Sequence, residues 1–115
     1  MSTRSNVLIR SQGQQVVLYH HWDGYPKGFG KELCEVLLPE FQREPKYILI
    51  EDVVNKLIMR HSCEWTTNLH GDIEYLYTVD LDRRTITCEG VNNWGDRLEV
   101  KDSIDMIATY KTWEK

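Results

Sequence analysis

The chain has 115 residues, 41% hydrophobic and 28% charged, with 14 Lys or Arg against 18 Asp or Glu and a net charge of -4. These totals describe one globular domain over residues 1–115 rather than a disordered chain, and the acidic balance argues against a nucleic-acid partner, which would need a basic face. Three widely spaced cysteines, a polar N-terminus and no apolar run near the ~20 residues of a membrane helix point to a cytoplasmic protein with reduced thiols and no membrane partner.

Val7–Ile9 and Val16–Tyr19 are apolar, β-prone runs. Between them Gly13 can take the positive φ of a tight turn, so the pair reads as a β-hairpin. Residues 20–30 carry the turn signals Asp23-Gly24 and Tyr25-Pro26, then Gly28 and Gly30. A helix is expected from near Phe29, because Phe29, Leu33, Val36 and Leu37 fall on one face. Pro39 should stop or kink it, and residues 39–47 read as a surface connection. A second helix fits Ile50–Arg60, with Glu51 and Asp52 in its first turn and Arg60 and His61 at its end, an order that suits the helix dipole.

Residues 61–71 read as irregular. Ile73, Tyr75, Tyr77 and Val79 alternate with polar residues and predict a half-buried strand. Leu81–Arg84 turns the chain, and Thr85–Glu89 makes a second, antiparallel strand. Residues 92–96 read as a loop. Leu98–Val100 fits an edge strand, and Asp102 or Ser103 fits the cap of a last helix carrying Ile104, Ile107, Ala108 and Lys111. The expected class is α+β: an antiparallel sheet made of an N-terminal and a C-terminal hairpin, with two or three helices packed on one face.

The stretch His20–Lys31 concentrates side chains capable of chemistry. Its glycines allow a ligand close to the backbone, and it opens a helix whose first amides lack partners. Lys27 and Lys31 add positive charge. If the first hairpin closes at Gly13, Arg4 lies beside this loop, and its planar fork suits a carboxylate or phosphate. The ligand-binding residues expected on these grounds are Arg4, His21, Asp23, Tyr25, Lys27, Gly28 and Gly30. The competing reading is structural: Asp-Gly and Tyr-Pro are ordinary turn chemistry, and the glycines shape the helix start. No Gly-Lys-Ser/Thr ending of a phosphate loop is present.

The Thr3-Arg4-Ser5 start, the hairpin, Trp22-Asp23-Gly24-Tyr25-Pro26 and the glycine pair before a helix resemble a family of small proteins widespread in bacteria and their phages, which has no known function. The resemblance covers about the first 40 residues and is only architectural beyond residue 50. It implies a shared fold and supplies no catalytic residue.

Other constellations are weaker. His20, His21, His61, Cys63, His70 and Asp72 lack the paired spacing of a structural metal site, so no metal or cofactor is expected. No serine sits in a Gly-x-Ser-x-Gly elbow. Cys63 near His61 is a thinner nucleophile candidate, while Cys34 and Cys88 look like core residues. His21, Asp23 and Arg4 are close enough in sequence to form an acid–base set, which keeps a hydrolase-type enzyme as an alternative. Trp65 and Trp94, in expected loops, and Trp113 suit a protein partner or a homodimer contact. The leading expectation is a non-enzymatic binding module, phage- or mobile-element-associated, that takes a small anion or nucleotide-like ligand at residues 20–31.

Overall fold

Ser11 and Gln14 face each other across a two-residue turn in which Gln12 and Gly13 have φ of 50° and 81°. Two consecutive left-handed residues give the turn the twist that a tight hairpin requires. The amide of Gln12 donates to Asp82 at 2.8 Å, which ties this turn to the one at residues 81–84. The hairpin therefore joins β1 (Ser5–Ser11) to β2 (Gln14–His20) as expected.

The computed structural model describes residues 3–42, 48–67, 72–94 and 97–113. A π-helical turn (Pro26–Gly30) leads into α1 (Lys31–Gln42), followed by α2 (Ile50–His61), β3 (Glu64–Thr66), β4 (Tyr75–Asp80), β5 (Thr85–Trp94), β6 (Arg97–Asp105) and α3 (Met106–Trp113). The six strands form one sheet in the order β3-β2-β1-β4-β5-β6. All neighbours are antiparallel except β1 and β4, which run parallel, with Val7 opposite Tyr77 and Ile9 opposite Val79.

The class is α+β, but the purely antiparallel sheet is corrected to a mixed one. The reason is visible in β1, where Asn6, Val7, Leu8 and Ile9 are all buried. A strand buried on both faces belongs in the interior of a sheet, so β1 takes a partner on each side and joins the two hairpins directly. One face carries Val7, Ile9, Leu18, Tyr77, Val79, Ile86 and Cys88 into the main core with all three helices. The other holds a smaller cluster of Tyr19, Ile73 and Val91.

Four local expectations change. Pro39 does not stop α1, which runs on to Gln42 because Leu37 and Phe41 are both buried and the Arg84 guanidinium donates to the Phe41 carbonyl at 2.9 Å. Pro39 and Glu35, whose carbonyl loses its helical donor, lie on the exposed side of the helix, where an unpaired carbonyl costs less than it would in the core. Residues 43–47 of the expected connection lie outside the described residues. The stretch 61–71 contains β3, so Trp65 is a strand residue rather than a loop residue. Asn92–Trp94 extend β5 instead of forming a loop, and 95–96 lie outside the described residues. Finally, β6 is longer than Leu98–Val100. The Asp102 carboxylate accepts from the Gly90 amide at 3.0 Å across a bulge, so Asp102 is held in the sheet. Asp105 caps α3 instead, accepting from the Ala108 amide at 3.2 Å.

Candidate functional site

Strand alternation sorts the dense stretch before any loop geometry enters. Ser5 and His20 are opposite each other and share the helix-covered face with Val7 and Leu18. His21 is on the opposite side. His20 is buried, with its ring stacked on Phe29 at 4.1 Å and 12°. Its Nδ1 and the neighbouring Ser5 Oγ are buried without a partner among the described residues. Burial lowers the His20 pKa from its ordinary value, against weaker opposing pulls led by Glu32. Phe29 also meets Tyr77 edge-on, and the Tyr77 hydroxyl donates to the Gly24 carbonyl at 2.6 Å.

The bend is tightly wound. Asp23 takes a φ of 54°, and its carbonyl accepts from the Phe29 amide at 2.7 Å. The Gly24 amide donates to the Thr3 carbonyl at 2.9 Å, and the Gly28 amide to the Tyr25 carbonyl at 2.9 Å. A Cβ on Gly28 would collide with the Asp23 carbonyl, and one on Gly30 would lie 2.8 Å from the Met106 sulfur. Gly28 and Gly30 thus permit close packing of protein against protein. Tyr25 is exposed and donates to the Asp23 carboxylate at 3.3 Å.

Two groups of side chains emerge from this frame, on different faces. Toward the helix-free face, Arg4 pairs with Asp72 at 3.2 Å, and the Tyr19 hydroxyl donates to the same carboxylate oxygen at 2.9 Å. Burial, with Asp72 assisting, pushes the Tyr19 pKa up to about 12. The His21 Nε2 lies 2.9 Å from a Glu64 oxygen, and its ring stands edge-on to Tyr19 at 4.6 Å. The expected set of His21, Asp23 and Arg4 is therefore wired differently: His21 to Glu64, Arg4 to Asp72, and Asp23 to Tyr25.

On the helix side, Lys27 and Lys31 stand four residues apart along the π-to-α junction. They line an open cavity of about 510 Å³ together with Tyr110 and Trp113 of α3. The Lys27 ammonium lies 5.6 Å from the centre of the Trp113 ring, a cation–π distance. Tyr110 and Trp113 meet edge-on at 6.5 Å. No carboxylate among the described residues pairs with either lysine.

Of the residues expected to bind a ligand, only Lys27 reaches this cavity. Arg4 and His21 belong to the other group, while Asp23, Tyr25, Gly28 and Gly30 build the bend between them. Lys31 was visible in the sequence as added charge. Trp113 was marked only as a contact for a protein partner or a second copy, and Tyr110 was not marked, because a spacing of three on a C-terminal helix names a face but not what it meets.

Cys63 is buried, and burial, with the Glu32 charge assisting, pushes its thiol pKa up to about 12, so it stays protonated at neutral pH. His61 Nδ1 lies 2.9 Å from Glu32. Among the described residues no three His, Cys, Asp or Glu side chains gather to hold a metal ion. His70 lies outside them. No helix of the described residues is long and apolar enough to cross a membrane.

No family model, curated protein or solved structure matches this chain.

Proposed function

We propose that the protein is a small non-enzymatic binding module, working in the cytoplasm, whose ligand is a small organic anion seated between the start of α1 and the end of α3. The observation that carries this reading is the convergence of Lys27 and Lys31 on the Tyr110–Trp113 wall. Two cations with no carboxylate partner among the described residues, facing aromatic surface across a cavity of about 510 Å³, match the mixture of apolar lining and few charged groups that small-molecule sites use. An incoming anion takes over the lysine charge, and a flat ligand group replaces the ammonium on the indole face. Kinship with the small bacterial and phage proteins sharing the Trp-Asp-Gly-Tyr-Pro turn belongs to the same proposal.

A thermal-shift panel of inorganic phosphate, nucleoside monophosphates and aromatic carboxylates tests it. At a ligand concentration about a hundredfold above Kd, binding adds about 2.7 kcal/mol, which raises Tm by several degrees. Lys31→Ala should remove the shift while leaving the ligand-free Tm nearly unchanged. Arg4→Ala should leave the shift intact, since Arg4 pairs with Asp72 in the other group. A flat response across the panel sinks the reading.

A second reading rests on the exposed aromatic rings Trp22 and Trp65, which are 52% and 64% exposed. Large apolar rings left in water favour a protein partner or a second copy of the chain. Light scattering decides this one: a mass that doubles with concentration in the wild type but not in Trp65→Ser supports it.

A further inference from the structure

The lysine cavity does not end at Tyr110. A second cavity of about 340 Å³ lies against the same tyrosine, lined by Cys34, Glu35, Leu38, Pro39 and Gln42. Lys27, Lys31, Cys34, Glu35 and Leu38 follow one side of the helix at i, i+4, i+7, i+8 and i+11. Both cavities thus lie between α1 and α3 and share Tyr110 as a wall, which makes them neighbouring lobes along one side of α1.

The lobes differ in chemistry. The first carries two ammonium groups and an indole. The second is lined by Leu38, Pro39, Gln42 and the buried Cys34, and among the described residues the only formal charge on its lining is the exposed carboxylate of Glu35. An anionic head is attracted at one end, and a second anion at the other would meet Glu35. From Lys31 to Leu38 the helix rises about 10 Å, which sets the reach required of the ligand body.

Resting on the anion-binding reading above, we infer that the ligand is a soluble amphiphile with a single anionic head, phosphate or carboxylate, held by Lys27 and Lys31, and an uncharged apolar tail laid past Tyr110 into the Leu38 lobe. The groove thereby selects for tail length as well as for charge, and it orients the ligand in one direction only.

The test is a calorimetric titration of monoalkyl phosphates from methyl to octyl, kept below their micelle concentrations. Affinity should rise at least tenfold between butyl and octyl phosphate in the wild-type protein. Leu38→Asp should flatten that rise while methyl phosphate still binds, and Lys31→Ala should weaken every member. As a check that does not depend on a core-facing change, an octyl phosphate ending in a carboxylate should bind at least tenfold more weakly than octyl phosphate. Glu35→Lys should reverse that loss. If short phosphates bind but length has no effect, or nucleoside monophosphates bind tighter than octyl phosphate, the amphiphile inference falls while the anion site stands. If no phosphate of any length binds, both fall. Lys31-dependent co-sedimentation with phosphatidylglycerol vesicles would overturn the soluble ligand in favour of a lipid surface.

Discussion

His20 and His21 are adjacent and have opposite roles. Strand alternation turns one ring into the core against Phe29 and the other outward to Glu64. That split was readable in the sequence, because neighbouring strand residues point to opposite faces. Which ring went inward was not, since it depends on the face that the helices cover. The buried ring has a pH consequence. Its folded-state pKa lies below the ordinary 6.5, so the unfolded chain takes up a proton first. The stability it contributes is complete above about pH 6.5 and is lost as the pH falls through the lowered value. Urea unfolding should therefore show a lower midpoint at pH 5 than at pH 7.5. His20→Phe, which keeps a ring on Phe29 but cannot titrate, should lose less of its midpoint over the same interval. An equal loss in both proteins would assign the effect to other groups.

Among the elements, α2 is the one whose limits the sequence reading matched most closely, at Ile50–Arg60 against the observed Ile50–His61. Its apolar stripe, acidic first turn and basic last turn all agree. Its C-terminus holds a residue out of character: Ser62 sits in the left-handed region at φ 58°, with the Cys63 amide donating to the Leu57 carbonyl at 3.1 Å. This is the helix ending that glycine usually occupies, since glycine has no Cβ to crowd there. Ser62→Gly should stabilise the protein by up to about 1 kcal/mol, a rise of a few degrees in Tm by calorimetry. α1 was less legible. Pro39 reads as a stop in any local scheme, and only the tertiary contacts of Leu37, Phe41 and Arg84 carry the helix past it. The site shares that limit. Lys27 and Lys31 were marked, while the aromatic wall opposite them comes from a helix some eighty residues later in the chain.

At the scale of the molecule, both hairpins were visible in local sequence and their union was not. A parallel pair such as β1 and β4 joins Ser5 to Tyr75, and no local signal records a contact across that distance. Contacts this far apart must close a long loop before they contribute, which slows folding. Refolding followed by tryptophan fluorescence should therefore fall in the millisecond-to-second range typical of sheet proteins, rather than the microsecond range of helical bundles. A microsecond phase carrying the whole amplitude would contradict the central place given to β1.

The position of β1 between β2 and β4 also bears on synthesis. The first hairpin leaves the ribosome with Val7 and Ile9 bare on one face, and its lateral neighbour is not translated until residue 80. At roughly 5–20 residues per second the wait lasts roughly 3 to 12 seconds. For that interval the nascent chain offers a sticky, half-built ribbon. Holding chaperones and crowded polysomes will encounter it long before any ligand does.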